Sequence, residues 1–210
     1  MPETETFRYR LTAEVDTPTG LKSGSSVIEV ELSENDSQLL PIEARGVRAT
    51  LRGEAVAVDL PDGQVLFTLL RSEISSDAAK WFAHETIDTP EVDGHIWGVA
   101  RARWMKDNKA SGEMQRGDYF PMLVAFGDPN DPASIQRVDP DDLAASFGEG
   151  VTLSRITVQL TDDPLTIGIE DRLGWLVDPA VMENPGWQSL PLDARRLLLG
   201  LRAGKVGSEK

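Results

Sequence analysis

The sequence predicts a mainly β fold: a β-rich α+β chain with antiparallel sheets in a sandwich or open barrel, short peripheral helices and a C-terminal helix. Three observations carry this expectation. Phe7, Tyr9, Leu11, Ala13 and Val15 alternate with Arg8, Arg10, Thr12, Glu14 and Asp16, a period of two that lays one apolar face on a core. Ala55 to Leu60 and Val65 to Leu70 flank Pro61-Asp62-Gly63-Gln64, which is a hairpin signal. Leu190, Ala194, Leu197, Leu198 and Leu201 recur at helical spacing, so one face of a C-terminal helix is apolar.

The remaining elements follow in chain order. Thr17-Pro18-Thr19-Gly20 supplies a preset φ and then a positive one, and Ile28, Val30 and Leu32 alternate with Glu29 and Glu31 beyond it, giving two antiparallel strands. Leu39 to Arg45 connects these to a strand in which Val47, Ala49 and Leu51 alternate with Arg48, Thr50 and Arg52. In the next turn Asp62 can bond its own backbone and Gly63 can take the left-handed conformation. Ser75 or Ser76 caps a short helix over Asp77 to His84. Ile96 to Met105 is read as a strand because Arg101 and Arg103 alternate with Ala100, Ala102 and Trp104, although Trp97, Arg101 and Trp104 also fit helical spacing. Lys106 to Asp118 is polar and reads as an exposed loop.

Tyr119 to Phe126 is almost continuously apolar, as in a strand covered on both faces, while Pro121 pulls it toward an edge. Ile135 to Val138 is a short strand, and Asp139 and Pro140 open a helix that runs through Phe147 and stops at Gly148. In Val151 to Leu160 the apolar phase moves from odd to even positions, which one extra residue near Ser154 or Arg155, a β-bulge, explains. Leu165 to Trp175 reads as a short helix. The expected organisation is a single β-rich domain over residues 1–175 and a tail over 176–210, with an amphipathic helix at about 191–203.

The 210 residues are 40% hydrophobic and 27% charged, a balance that can bury a core. The net charge of −14, from 35 acidic and 21 basic residues, repels phosphate backbones and argues against nucleic acid. No run reaches the roughly 18 apolar residues of a membrane span, and Met1-Pro2-Glu3-Thr4-Glu5 is acidic where a secretion signal is basic and then apolar. A cytoplasmic location is the expectation for the chain as written, and the cell envelope is the alternative if the native N-terminus differs. The absence of cysteine excludes disulfides, thiol nucleophiles and thiolate metal sites.

The blocks Phe7-Arg8-Tyr9-Arg10-Leu11-Thr12 and Gly24-Ser25-Ser26-Val27-Ile28-Glu29-Val30, and later Val138-Asp139-Pro140-Asp141-Asp142-Leu143-Ala144-Ala145-Ser146-Phe147-Gly148, resemble an uncharacterised bacterial protein family. The resemblance covers roughly residues 7 to 175 and brings no activity, cofactor or catalytic residue. Some of those relatives resemble lipoproteins or exported proteins at their N-termini, and this chain departs from them there.

Candidate chemistry is sparse. His84 and His95, beside Glu85, Asp88, Glu91 and Asp93, offer zinc ligands, but their separation matches no helical ligand pair. Gly24-Ser25-Ser26 offers hydroxyls without the nucleophile elbow of a hydrolase, and a bulge or close backbone contact at Gly24 explains it better. Asp128, Asn130 and Asp131 place oxygen ligands in one loop, yet the EF-hand frame is missing and turns before prolines account for the same residues. Five tryptophans read as packing groups. The function expected is that of a non-enzymatic β-rich binding or structural protein of a bacterium, with no cofactor. One alternative is a divalent-metal-dependent hydrolase using His84 and His95 with nearby acids; the other is an acidic protein binding a basic partner. The apolar face of the C-terminal helix is expected to dock on the chain's own sheet, beside Trp175 or Trp187, and a protein partner or second copy through Leu190, Leu197, Leu198 and Leu201 is the alternative.

Overall fold

The structure, a computed structural model, describes residues 3–35, 46–91, 97–177 and 185–204. The connection at 39–45 and His95 lie outside the described residues. Among those described, strand outweighs helix by 43% to 25%, and the two antiparallel sheets are open rather than closed into a barrel.

The first sheet grows from β1 (Glu3–Thr17) and β2 (Gly20–Asn35), a long hairpin in which Thr17 faces Gly20 across the turn. There Gly20 takes φ +108 and the Thr17 hydroxyl donates to its carbonyl at 2.7 Å. The other face of the hairpin is set by alternation: Phe7, Tyr9, Leu11, Ala13 and Val15 are all buried. β3 (Gly46–Glu54) joins β2, and β9 (Thr152–Thr161) joins β1. The expected bulge is present. Glu14 faces Arg155 and Val15 faces Leu153, so Ser154 is the extra residue that moves the apolar side chains from one parity to the other. With β6 (Ser111–Glu113) and β10 (Arg202–Ala203) the order is β10-β3-β2-β1-β9-β6.

The second sheet runs β4-β5-β7-β8, from β4 (Val56–Asp59), β5 (Val65–Ser72), β7 (Pro121–Phe126) and β8 (Ile135–Val138). β3 passes into β4 across one residue, Ala55, so a single extended run serves both sheets. The β4–β5 hairpin turns at Pro61–Gly63, where Asp62 and Gly63 both take positive φ, 60 and 75.

Two cores result. Val56, Val58, Leu66, Leu70, Leu123 and Val138 face the first sheet, while Ala55, Phe67, Leu69, Val124 and Ile135 face the other way and pack on the C-terminal tail. The second sheet is therefore a middle layer. That explains why Tyr119 to Phe126 is apolar almost throughout, and Pro121 fits because it is the first residue of its strand.

The helices depart most from expectation. Residues 99–107 form α2 (Val99–Asp107) and not a strand: Val99, Ala102 and Met105, three residues apart, are the buried positions. The segment expected to be a loop contains the end of α2 and the edge strand β6. The helix expected from Ser75 shortens to a 3-10 turn at Ala78–Lys80 and α1 (Phe82–Thr86). Helix α3 (Ala144–Phe147) starts late, because the Asp139 carboxylate accepts from the Asp141 amide and closes a turn instead.

The tail holds α4 (Pro185–Ser189) and α5 (Leu192–Leu198). Ala194, Leu197, Leu198 and Leu201 are buried and Leu190 is half-buried against the second sheet. The chain's own second sheet thus covers these leucines, as expected of the apolar stripe, in place of the alternative of a partner. The helix also ends before residue 203. Gly200 passes under Arg71 so closely that a Cβ would stand 2.8 Å from that side chain. The carbonyls of Gly200 and Leu201 then accept from Leu70 and Ala55, and these bonds replace further helical ones.

Candidate functional site

A cleft of about 480 Å³ opens at the end of the second sheet beside the Pro61–Gly63 turn. Its walls come from well-separated parts of the chain: Phe67 from β5, Phe126 from β7, Phe147 at the end of α3, Gln64 beside the turn and Gln136 from β8. Phe67 meets Phe126 edge-on at 5.6 Å, and Phe126 packs on Trp175 at 6.0 Å. The Trp175 indole donates to the Pro129 carbonyl at 2.9 Å and so ties the loop after β7 to the tail.

Arg172 stands at the cleft with its charge engaged. It makes two parallel bonds to Asp59, at 2.5 and 2.8 Å, a fork geometry that holds the Asp59 carboxyl below its usual range and raises the Arg172 guanidinium. Gln64, Gln136 and Ser146 line the same opening. The cleft thus combines aromatic rings with the neutral groups of Gln64, Gln136 and Ser146 and the carboxylate of Asp62.

The sequence-predicted site residues lie elsewhere. His84 is 2% exposed, set edge-on between Phe7 at 6.0 Å and Trp81 at 6.1 Å. Neither ring nitrogen meets full hydrogen-bond geometry among the described residues, although the Gly98 backbone lies close enough to favour the protonated ring. Burial holds its pKa down to about 4, with the nearby Gly98 backbone opposing and the Arg101 charge reinforcing that shift. The loop residues serve turns. The Asp128 carboxylate accepts from the Asn130 amide at 2.9 Å and its side chain at 3.2 Å, and the Asp131 carboxylate accepts from Ala133 at 2.8 Å. Among the described residues no group of three or more His, Cys, Asp or Glu is placed to hold a metal ion. Ser25 accepts from Arg10 at 3.1 Å, and Ser26 is buried.

The tryptophans pack. Trp81 stacks on Trp97 at 5.0 Å, Trp104 packs on the first core, and Trp175 and Trp187 pack on the second. The three phenylalanines and two glutamines of the cleft were not singled out by sequence, since each reads alone as core or surface. Only the turn at 61–64 pointed near them.

Among the described residues no helix is long and apolar enough to cross a membrane. In comparison with known proteins, no family model, curated protein or solved structure matches the chain.

Proposed function

We propose that this is a non-enzymatic β-rich binding protein, one that takes a neutral ligand bearing a flat apolar ring and hydrogen-bonding edges into the cleft at the end of the second sheet. The observation that carries the reading is the lining: Phe67, Phe126 and Phe147 beside the amides of Gln64 and Gln136. A volume near 480 Å³ lies within the range of small-molecule sites. Rings supply apolar contact with little loss of rotamer entropy, and the amides fix orientation. The Arg172 charge is held by Asp59 and the Asp62 carboxylate also lines the cleft, so a neutral ligand is favoured over an anion.

The test is mass spectrometry of small molecules that remain bound to the full chain through gel filtration and are released on denaturation. The wild type should retain a neutral compound that Phe147→Ala loses. Equal retention by both, or retention of a charged cofactor by both, overturns the reading.

A further inference from the structure

A second cavity, about 300 Å³, lies at the other end of the second sheet from the cleft. The strands diverge there. Thr68 faces Leu123 but Ser72 faces Pro121, so four steps along β5 answer two along β7, and the longer strand bulges. Past the bulge the chain turns at once: the Ser72 amide donates to the Ser75 carbonyl at 2.9 Å, and the Ser75 amide to the Ser72 hydroxyl at 3.2 Å. This turn brings Glu73 and Ile74 to the cavity wall, with Ile74 63% exposed. Another wall is the turn in which the Phe120 amide donates to the Gly117 carbonyl at 2.9 Å, and it contributes Asp118 and Phe120.

The lining carries charge of both signs, on Glu73, Arg116, Asp118 and Arg137. Arg137 pairs with Glu73. Arg116 lies over the Phe120 ring at 4.1 Å and donates to the Pro140 carbonyl at 2.8 Å and to the Asp141 carboxylate at 2.9 Å. The Asp118 carboxylate has no hydrogen bond or ion pair among the described residues. Both ion pairs are exposed, and such pairs hold their partners weakly. A guanidinium also has more N–H donors than one carboxylate accepts, so each arginine can take a further carboxylate oxygen. Beside the charges, Ile74, Phe120 and Met122 supply an apolar wall.

We propose that this cavity binds a free α-amino acid with an apolar side chain, its carboxylate on Arg116 and Arg137, its ammonium on Asp118 and its side chain against Ile74 and Phe120. The site is apart from the cleft and independent of its reading. A carboxylate alone meets Glu73, Asp118 and the −14 charge of the whole chain, and an amine alone meets two guanidinium groups. A zwitterion with an apolar chain complements every part of the lining and carries no net charge for the protein to repel. Charge-assisted bonds at its two ends fix its orientation, and a volume near 300 Å³ is at the small end of the range for ligand sites.

The experiment titrates the full chain with L-leucine, and separately with isocaproate, which lacks the ammonium, and isopentylamine, which lacks the carboxylate. Backbone amide resonances of Ile74 and Asp118 report binding at constant pH and ionic strength. L-leucine should give saturable shifts at both, and each analogue should bind roughly tenfold or more weakly, the loss of one charge-assisted hydrogen bond. Asp118→Asn, at an exposed position whose melting midpoint reports an intact fold, should weaken L-leucine by a similar factor and leave isocaproate unchanged. No saturable shift with L-leucine, an analogue that binds as tightly, or equal L-leucine affinity in Asp118→Asn overturns the proposal. Shifts confined to Gln64 and Gln136 would also overturn it, by placing the amino acid in the cleft.

Discussion

A Cβ atom placed on Gly24 would stand 2.0 Å from the carbonyl oxygen of Ala57. β2 and β4 therefore meet backbone to backbone where the two sheets approach, and only a residue without a side chain fits. Gly24→Ala must push the sheets apart, and overpacking of this kind costs about 1–3 kcal/mol or more. The expected result is a lower urea midpoint; an unchanged midpoint would show that the sheets are not in contact there.

His84 makes stability depend on pH. Its folded pKa of about 4 lies below the ordinary 6.5, so below pH 6.5 the unfolded chain takes up a proton that the folded chain refuses. The stabilising contribution is complete above pH 6.5 and is lost as pH falls toward 4, about 3 kcal/mol in all. His84→Leu should flatten that part of the stability curve relative to wild type, whereas parallel curves would place the imidazole in water.

The tail is the third layer of the fold. Leu197 is 6% exposed and packs in the core that includes Phe67, Leu69 and Val124, so Leu197→Ala should cost about 2–5 kcal/mol. Deleting residues 189–210 should cost several kcal/mol and expose the sheet face. Calorimetry showing the truncated chain as stable as the full one would mean that the second core is not cooperative with the first.

Chelation should leave the melting temperature unchanged. The Asp128 and Asp131 carboxylates already accept local amide bonds, so their loop is complete without an ion. A fall of several degrees in EDTA, restored by a divalent cation, would identify a metal that stabilises the fold.

The strands were legible because alternation is a local signal. Phe7 to Val15 names both the strand and its buried face, and the change of parity at Ser154 names the bulge. Gly24 was legible as a close contact, though not its partner, since Ala57 is distant in sequence. Helix α2 was misread because Arg101 and Arg103 alternate with the apolar residues Ala100, Ala102 and Trp104. Burial at Val99, Ala102 and Met105 follows the helical period, which the intervening alanine at position 100 obscured. The cleft was illegible for a different reason: Phe67, Phe126 and Phe147 come from three elements, and a phenylalanine that lines an opening is written like one that fills a core.

The most direct measurement is a titration of the full chain with neutral aromatic amides, followed through the side-chain amide resonances of Gln64 and Gln136. Saturable shifts are expected at both glutamines, with little change at Asn108 on the far end of α2 and loss of the response in Phe147→Ala. Saturable binding that moves neither glutamine, or that survives Phe147→Ala undiminished, would contradict the assignment of the cleft as the binding site.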